Sequence, residues 1–294
     1  MPRVTVNDIT LEYDSFGSRD GRPLLLVMGL GAQMIHWDEA FCEGLAERGH
    51  HVIRFDNRDS GLSTKFDDAP VPDMGALVAA LTAGQKPDVP YTLDDMAGDA
   101  FGLLDALDIE RAHIAGASMG GMIVQAMVLN QPERVRSMTS IMSTTGNPAL
   151  PPASPEAMAA LTSPVPADLD GYLARTLDVA RVIGSPGFPF DEARARERAQ
   201  RTFERSVYPY GTARQMAAIV AHGNRRPLLE RINVPTLVIH GSADPLVPVH
   251  GGRDTHEAIP GSEWLEIEGM GHDLPPGVWA PITDAISRLT ERHH

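Results

Sequence analysis

The chain has 294 residues, 43% hydrophobic and 22% charged, enough apolar material for a large buried core and about one or two domains. Its 39 acidic residues outweigh 25 basic ones for a net charge of −14, which argues against a nucleic-acid-binding protein, normally marked by a basic patch, and repels anionic lipid and polyanionic substrates. The one cysteine, Cys42, excludes an intramolecular disulfide, and its place in the amphipathic stretch WDEAFCEGLAERG predicts a small buried side chain.

The amino-terminal MPRVTVNDITLEYDSFG has no apolar h-region and no small-residue cleavage site, and no apolar run approaches the roughly 20 residues of a membrane helix. The expectation is a cytoplasmic protein without a membrane partner. VTVND and TLEYDSF alternate with period two and predict an antiparallel hairpin at a sheet edge. PLLLVMG (23–29) is a continuous apolar run ending in glycine, as a strand buried on both faces requires. Helical periodicity covers 36–48 and HVIRFDN (51–57) is the next strand; the Pro- and Asp-containing excursion 66–90 is left without an element. Thr92, with Asp95 three residues on, opens a helix that places Met96, Phe101, Leu104 and Leu107 on one face. A strand at 112–117, a helix at 119–130 and a strand at 136–142 follow.

The alternation then stops. Residues 146–230 read as proline punctuation between Ala/Arg-rich helical segments such as DEARARERAQRTFERS. It resumes with PTLVIHG (235–241), a helix at 251–258, the strand SEWLEIEG (262–269) and a helix at 277–292. An α/β body, 1–145 and 231–294, is thus interrupted by a helical block, 146–230. Such a block emerging from the carboxyl edge of a parallel sheet covers the usual ligand crevice.

Between the strand at 112–117 and its helix stands Gly116-Ala117-Ser118-Met119-Gly120, a G-x-S-x-G pattern in strand-to-helix context. There a serine nucleophile sits on a sharp turn whose flanking glycines allow close approach, and the N–H of Met119 faces a developing oxyanion. A serine hydroxyl needs a base, and the base an orienting acid, in the chain order serine, acid, histidine. Asp244, in a loop just past the strand 235–241 and stiffened by Pro245 and Pro248, is the acid; the strand at 136–142 ends in Met142-Ser143-Thr144-Thr145 and offers no carboxylate. Of 11 histidines only His272, in Gly269-Met270-Gly271-His272-Asp273, combines this order with a Gly-flanked loop, so it is the base; His240 is read as structural. Leu30, in Gly29-Leu30-Gly31 after the strand 23–29, is the natural second N–H donor, although a plain tight loop reads the same.

GASMGG, GSADPLVP and GMGHDLP resemble the nucleophile, acid and base segments of the α/β-hydrolase fold superfamily, and FDNRDSGLS (55–63) resembles its Asp-x-Arg-x-x-Gly-x-Ser segment. The resemblance covers nearly the whole chain. It implies an eight-stranded, mostly parallel sheet with a helical cap between strands 6 and 7. LLLVMGLGAQ, FDNRDSGLST and IEGMGHDLP are similar to aclacinomycin methylesterase and its relatives, serine carboxylesterases that remove a methyl ester from a polyketide; Met28, where a His-Gly pair is commonest in the superfamily, fits that subgroup.

Dehalogenases and epoxide hydrolases of this fold carry Asp at the elbow, so Ser118 disfavours their chemistry. No HExxH or paired CxxC occurs and no GxGxxG follows the first strand, so neither metal nor cofactor is expected. The reading is an EC 3.1.1-type ester hydrolase acting on a small-molecule ester, as monomer or homodimer. Phe188, Phe190, Tyr208 and Tyr210 in the helical block are candidate pocket walls, with packing between cap and body as the alternative. A cofactor-free perhydrolase or a C–C bond hydrolase would use the same triad, and a ligand receptor is the non-enzymatic rival.

Overall fold

The computed structural model describes residues 1–294. At the amino end β1 (Arg3–Val6) and β2 (Ile9–Phe16) fold back on each other through Asn7 and Asp8. Both turn residues have positive φ, 47° and 64°, the left-handed pair that matches hairpin twist. β3 (Arg22–Val27) stops two residues short of the apolar run, because Met28 and Gly29 leave the sheet to form a loop. A 3-10 turn (Met34–His36) then precedes α1 (Glu39–Glu47), which begins later than the periodicity suggests because Asp38 caps it, accepting the Ala40 N–H. Cys42 is fully buried within α1, as expected.

β4 (His50–Phe55) is followed by α2 (Met74–Thr82), an element the sequence reading did not assign. Asp73 caps it, but MGALVAALT carries no polar face, so it has no helical period to read. In α3 (Leu93–Ala106) the capping box of Thr92 and Asp95 is present. Then come β5 (Ala112–Ala117), α4 (Met119–Asn130) and β6 (Val135–Ile141). Five helices follow: α5 (Pro155–Thr162), α6 (Leu169–Ile183), α7 (Glu192–Arg205), α8 (Pro209–His222) and α9 (Arg226–Leu229). The chain closes with β7 (Thr236–Gly241), α10 (His250–Ala258), β8 (Glu263–Ile267) and α11 (Pro276–Arg292).

The eight strands form one sheet in the order β1-β2-β4-β3-β5-β6-β7-β8. Only β2 runs against the others; β4, β3, β5, β6, β7 and β8 pair in parallel. The central strands are apolar on both faces because helices cover both. Leu25 and Val27 of β3 join α3 and α4 in one core, while Leu24 and Leu26 join α1 and α11 in the other. β3 connects forward to β4 on one side and is flanked by β5 on the other, so the winding direction switches between β3 and β5. The carboxyl ends at such a switch leave a crevice that neither crossover fills.

Candidate active site

Ser118 alone makes the reversal between β5 and α4, at φ 55° and ψ −119°. A non-glycine residue there is strained by about 1–3 kcal/mol, and its neighbours hold it. Its N–H donates to the Ile141 carbonyl at 2.9 Å; its carbonyl accepts from the Gly121 N–H at 2.9 Å and from Ser143 Oγ at 2.8 Å. A Cβ on Gly116 would overlap the Gly120 carbonyl, and one on Gly120 the Val27 carbonyl at the end of β3. Both glycines are therefore required by the closeness of strand, elbow and helix.

Ser118 Oγ lies 3.0 Å from His272 Nε2, and His272 Nδ1 lies 2.7 Å from Asp244 Oδ2. With Nδ1–H donating to the carboxylate, Nε2 is the free acceptor for the serine proton. Asp244 is buried, and its Oδ1 accepts the N–H groups of Leu246 and Val247 at 2.9 and 2.8 Å. Burial pushes this carboxyl up, but His272 and His240 together outweigh it and hold it well below the usual carboxylate range. His240 Nε2 donates to the Val247 carbonyl at 2.8 Å and stands 3.6 Å from Asp244 Oδ2. It thus ties down the Asp244 loop, in keeping with a structural role.

The loop after β3 runs against the elbow, where a Cβ on Gly29 would stand 3.1 Å from that of Ser118. The N–H groups of Leu30 and Met119 donate to nothing within the protein. For Met119 this follows from its place as first residue of α4, whose opening N–H groups have no helical partner.

The segment 55–63 underpins that loop, a role its motif alone does not reveal. Asp56, fully buried, accepts the N–H groups of Met34 and Leu62 at 2.7 and 2.9 Å and the Arg205 guanidinium at 2.8 Å. Burial nonetheless pushes its carboxyl up. Asn57 Nδ2 donates to the Met28 carbonyl and Ser60 Oγ to the Ala32 carbonyl, each at 2.9 Å. Arg58 pairs with buried Asp99 at 2.6 Å, and Asp59 accepts the Tyr91 hydroxyl at 2.8 Å.

The histidine loop is stitched to the turn after α6. The His272 N–H donates to the Ile183 carbonyl at 2.7 Å, the Gly271 N–H to Ser185 Oγ at 2.8 Å, and the Gly187 N–H to the Gly269 carbonyl at 2.9 Å. Ser185 in turn donates to Asp273. The helices between β6 and β7 thus touch the site directly. Ser143, Asn57 and Ser185 escaped the sequence reading because each acts through contacts made only on folding.

The four aromatic candidates are placed differently. Phe190 is 42% exposed with the Arg181 guanidinium over its ring, and Tyr210 is 62% exposed. Tyr208 donates to Asp67 at 2.6 Å and meets Tyr210 edge-on, at the seam between α8 and the segment after β4. Phe188 packs near the start of α11, against Gly277. Ser118, His272 and Asp244 are brought together, and Phe188 follows Gly187, whose N–H is bonded to the Gly269 carbonyl of the histidine loop.

The family profile of the alpha/beta hydrolase fold matches residues 22–275. Rhodomycin D methylesterase DauP of Streptomyces sp. (strain C5) is 30% identical over 314 aligned positions, covering 98% of this chain and 97% of that protein. Rhodomycin D methylesterase DnrP of Streptomyces peucetius is 29% identical with the same coverage, 98% and 97%. Among solved structures, the enol-lactonase from Burkholderia xenovorans superimposes with a TM-score of 0.74 at 23% identity, over 99% of this chain and 100% of that one. No helix is long and apolar enough to cross a membrane. With the profile spanning most of the chain and the sheet order described above, the chain belongs to the α/β-hydrolase fold family.

Proposed function

We propose that the protein is a serine hydrolase that cleaves a carboxylic ester, a methyl or short- to medium-chain ester of a moderately apolar small molecule. The observation that carries this reading is the unbroken chain from Ser118 Oγ to His272 Nε2 at 3.0 Å and from His272 Nδ1 to Asp244 at 2.7 Å. The similarity to two methylesterases over nearly the whole chain supports the ester as substrate class and a methyl ester as the first to try.

Ser118 Oγ attacks the ester carbonyl while His272 Nε2 takes the hydroxyl proton, and Asp244 holds the imidazole and stabilises the imidazolium. The Leu30 and Met119 N–H groups receive the oxyanion, each contributing on the order of 3 kcal/mol to the transition state. His272 returns its proton to the leaving alcohol oxygen. Water, deprotonated by the same imidazole, then attacks the acyl-enzyme and releases the acid with Ser118 restored. Residues 146–230 act as the cap that bounds the acyl and alcohol sites.

Turnover of p-nitrophenyl butyrate and of a panel of aryl and polycyclic methyl esters tests the reading. The expected result is ester hydrolysis that Ser118→Ala reduces by a factor of about 10⁴ or more. A purified protein that hydrolyses no ester, or a Ser118→Ala variant as active as the parent, overturns it.

A further inference from the structure

We infer that Gln215, on α8, is a positioning residue for the Leu30 oxyanion donor, so that the helices inserted between β6 and β7 are a working part of the catalytic site. This rests on the serine-esterase reading above. The peptide that carries the Leu30 N–H joins Gly29 to Leu30, and its neighbours are anchored on both sides. Upstream, the Met28 carbonyl accepts from Asn57 Nδ2 at 2.9 Å. Downstream, the Gly31 N–H donates to Gln215 Oε1 at 2.8 Å. The carbonyl of the central peptide itself, that of Gly29, accepts the Ala32 N–H at 3.3 Å. A trans peptide is planar, so tying its carbonyl one way sends its N–H the other. That N–H has no partner within the protein.

Gln215 is the component of this frame that comes from outside the α/β body. Gly31 has φ +64°, and glycine has no side-chain bulk to hold its own backbone in one basin, so the loop needs an external anchor. Gln215 is fully buried, and its other end, Nε2, donates to the Arg58 carbonyl at 2.8 Å. One end can only accept from Gly31 and the other can only donate to Arg58, so the amide has one orientation. The side chain locks the loop after β3 to the segment after β4 with both polar ends satisfied by main chain. An oxyanion hole works through preorganisation, since a donor that must reorient during the reaction loses much of its effect. Removing the Gln215 amide leaves the half-buried Gly31 N–H and the buried Arg58 carbonyl unpaired and frees the donor peptide.

The experiment compares wild type, Gln215→Ala and Gln215→Met for kcat and KM on the best ester, for inhibition by a short-chain aliphatic trifluoromethyl ketone, and for melting temperature. The ketone's adduct with Ser118 carries the negative oxygen that the hole receives. Methionine keeps the length and apolar packing of glutamine but neither hydrogen bond. The expected result is a fall in kcat of about tenfold or more in both variants with KM changed by less than about twofold, and a parallel loss of ketone affinity. Three outcomes each overturn the inference: Gln215→Met as active as wild type, a loss confined to KM, or unchanged ketone affinity. A wild type that neither hydrolyses esters nor binds the ketone refutes the esterase reading and this inference with it. A wild type that does both, with unaltered variants, refutes this inference alone.

Discussion

At Asp244 two opposing effects meet, and their balance sets the pH behaviour of the site. Burial favours the neutral acid, but His272 and His240 favour the carboxylate more, and the net direction is well below the usual range. Asp244 therefore keeps its charge throughout the neutral and mildly acidic range. On the proposed mechanism only unprotonated His272 can take the Ser118 proton, so kcat/KM is expected to fall on acidification. A stopped-assay profile with a pH-insensitive ester checks this, and a kcat/KM that acidification leaves unchanged removes His272 as the base. The triad candidates were legible because chemistry forces residue types at strand ends: a serine between glycines, an acid past one strand and a histidine past the last. Gln215 and Ser143 were not, since an amide or a hydroxyl inside a helical or loop stretch has no pattern until it meets its partner.

At the scale of elements, the elbow is a packing problem among β3, β5 and α4. Gly120 lies against the Val27 carbonyl, so Gly120→Ala forces α4 away from β3. Overpacking of this kind costs about 1–3 kcal/mol. Because the helix start also carries the Met119 N–H, activity is expected to fall further than stability does. Denaturant midpoints together with active-site titration by a serine-reactive phosphonate measure the two losses; an alanine variant with parental stability and full titration would show that the elbow has slack. Strands with apolar faces and the capped helix α3 were readable, because each announces itself through periodicity or an end signal. α2 was not, because a helix apolar all round has no period, and only Asp73 marked its start.

Over the whole molecule, buried neutral histidines far from the site govern acid stability. His50 and His113 are 1% and 0% exposed, and burial lowers them from 6.5 to about 4 and about 3. His50 is satisfied as a neutral ring, donating from Nδ1 to the Leu45 carbonyl and accepting at Nε2 from Thr290, each below 3 Å at 2.8 and 2.7 Å. His113 meets Ser137 through Nδ1, and its Nε2 is buried without a partner, so charging it would strand a donor. Below 6.5 the unfolded chain takes up these protons and the folded one does not, so stability rises with pH and is lost on acidification. Each residue contributes a slope of about 1.4 kcal/mol per pH unit, down to about 4 for His50 and about 3 for His113. Guanidinium melts at several pH values test this; a slope that His113→Gln leaves unchanged would remove that residue from the account.

Chain order and local chemistry alone determined the α/β class, the order of the strands and of the periodic or capped helices between them, and which serine, acid and histidine to look for. Each of those follows from periodicity or from a residue type that only one position supplies. The frame around the loop after β3 and the stitching of the histidine loop to the turn after α6 were decided by tertiary structure. Gln215 and Gly31 are separated by 184 positions. A hydrogen bond across that separation leaves no periodicity, spacing or composition behind; it exists only because the inserted helices settle over the carboxyl ends of the strands.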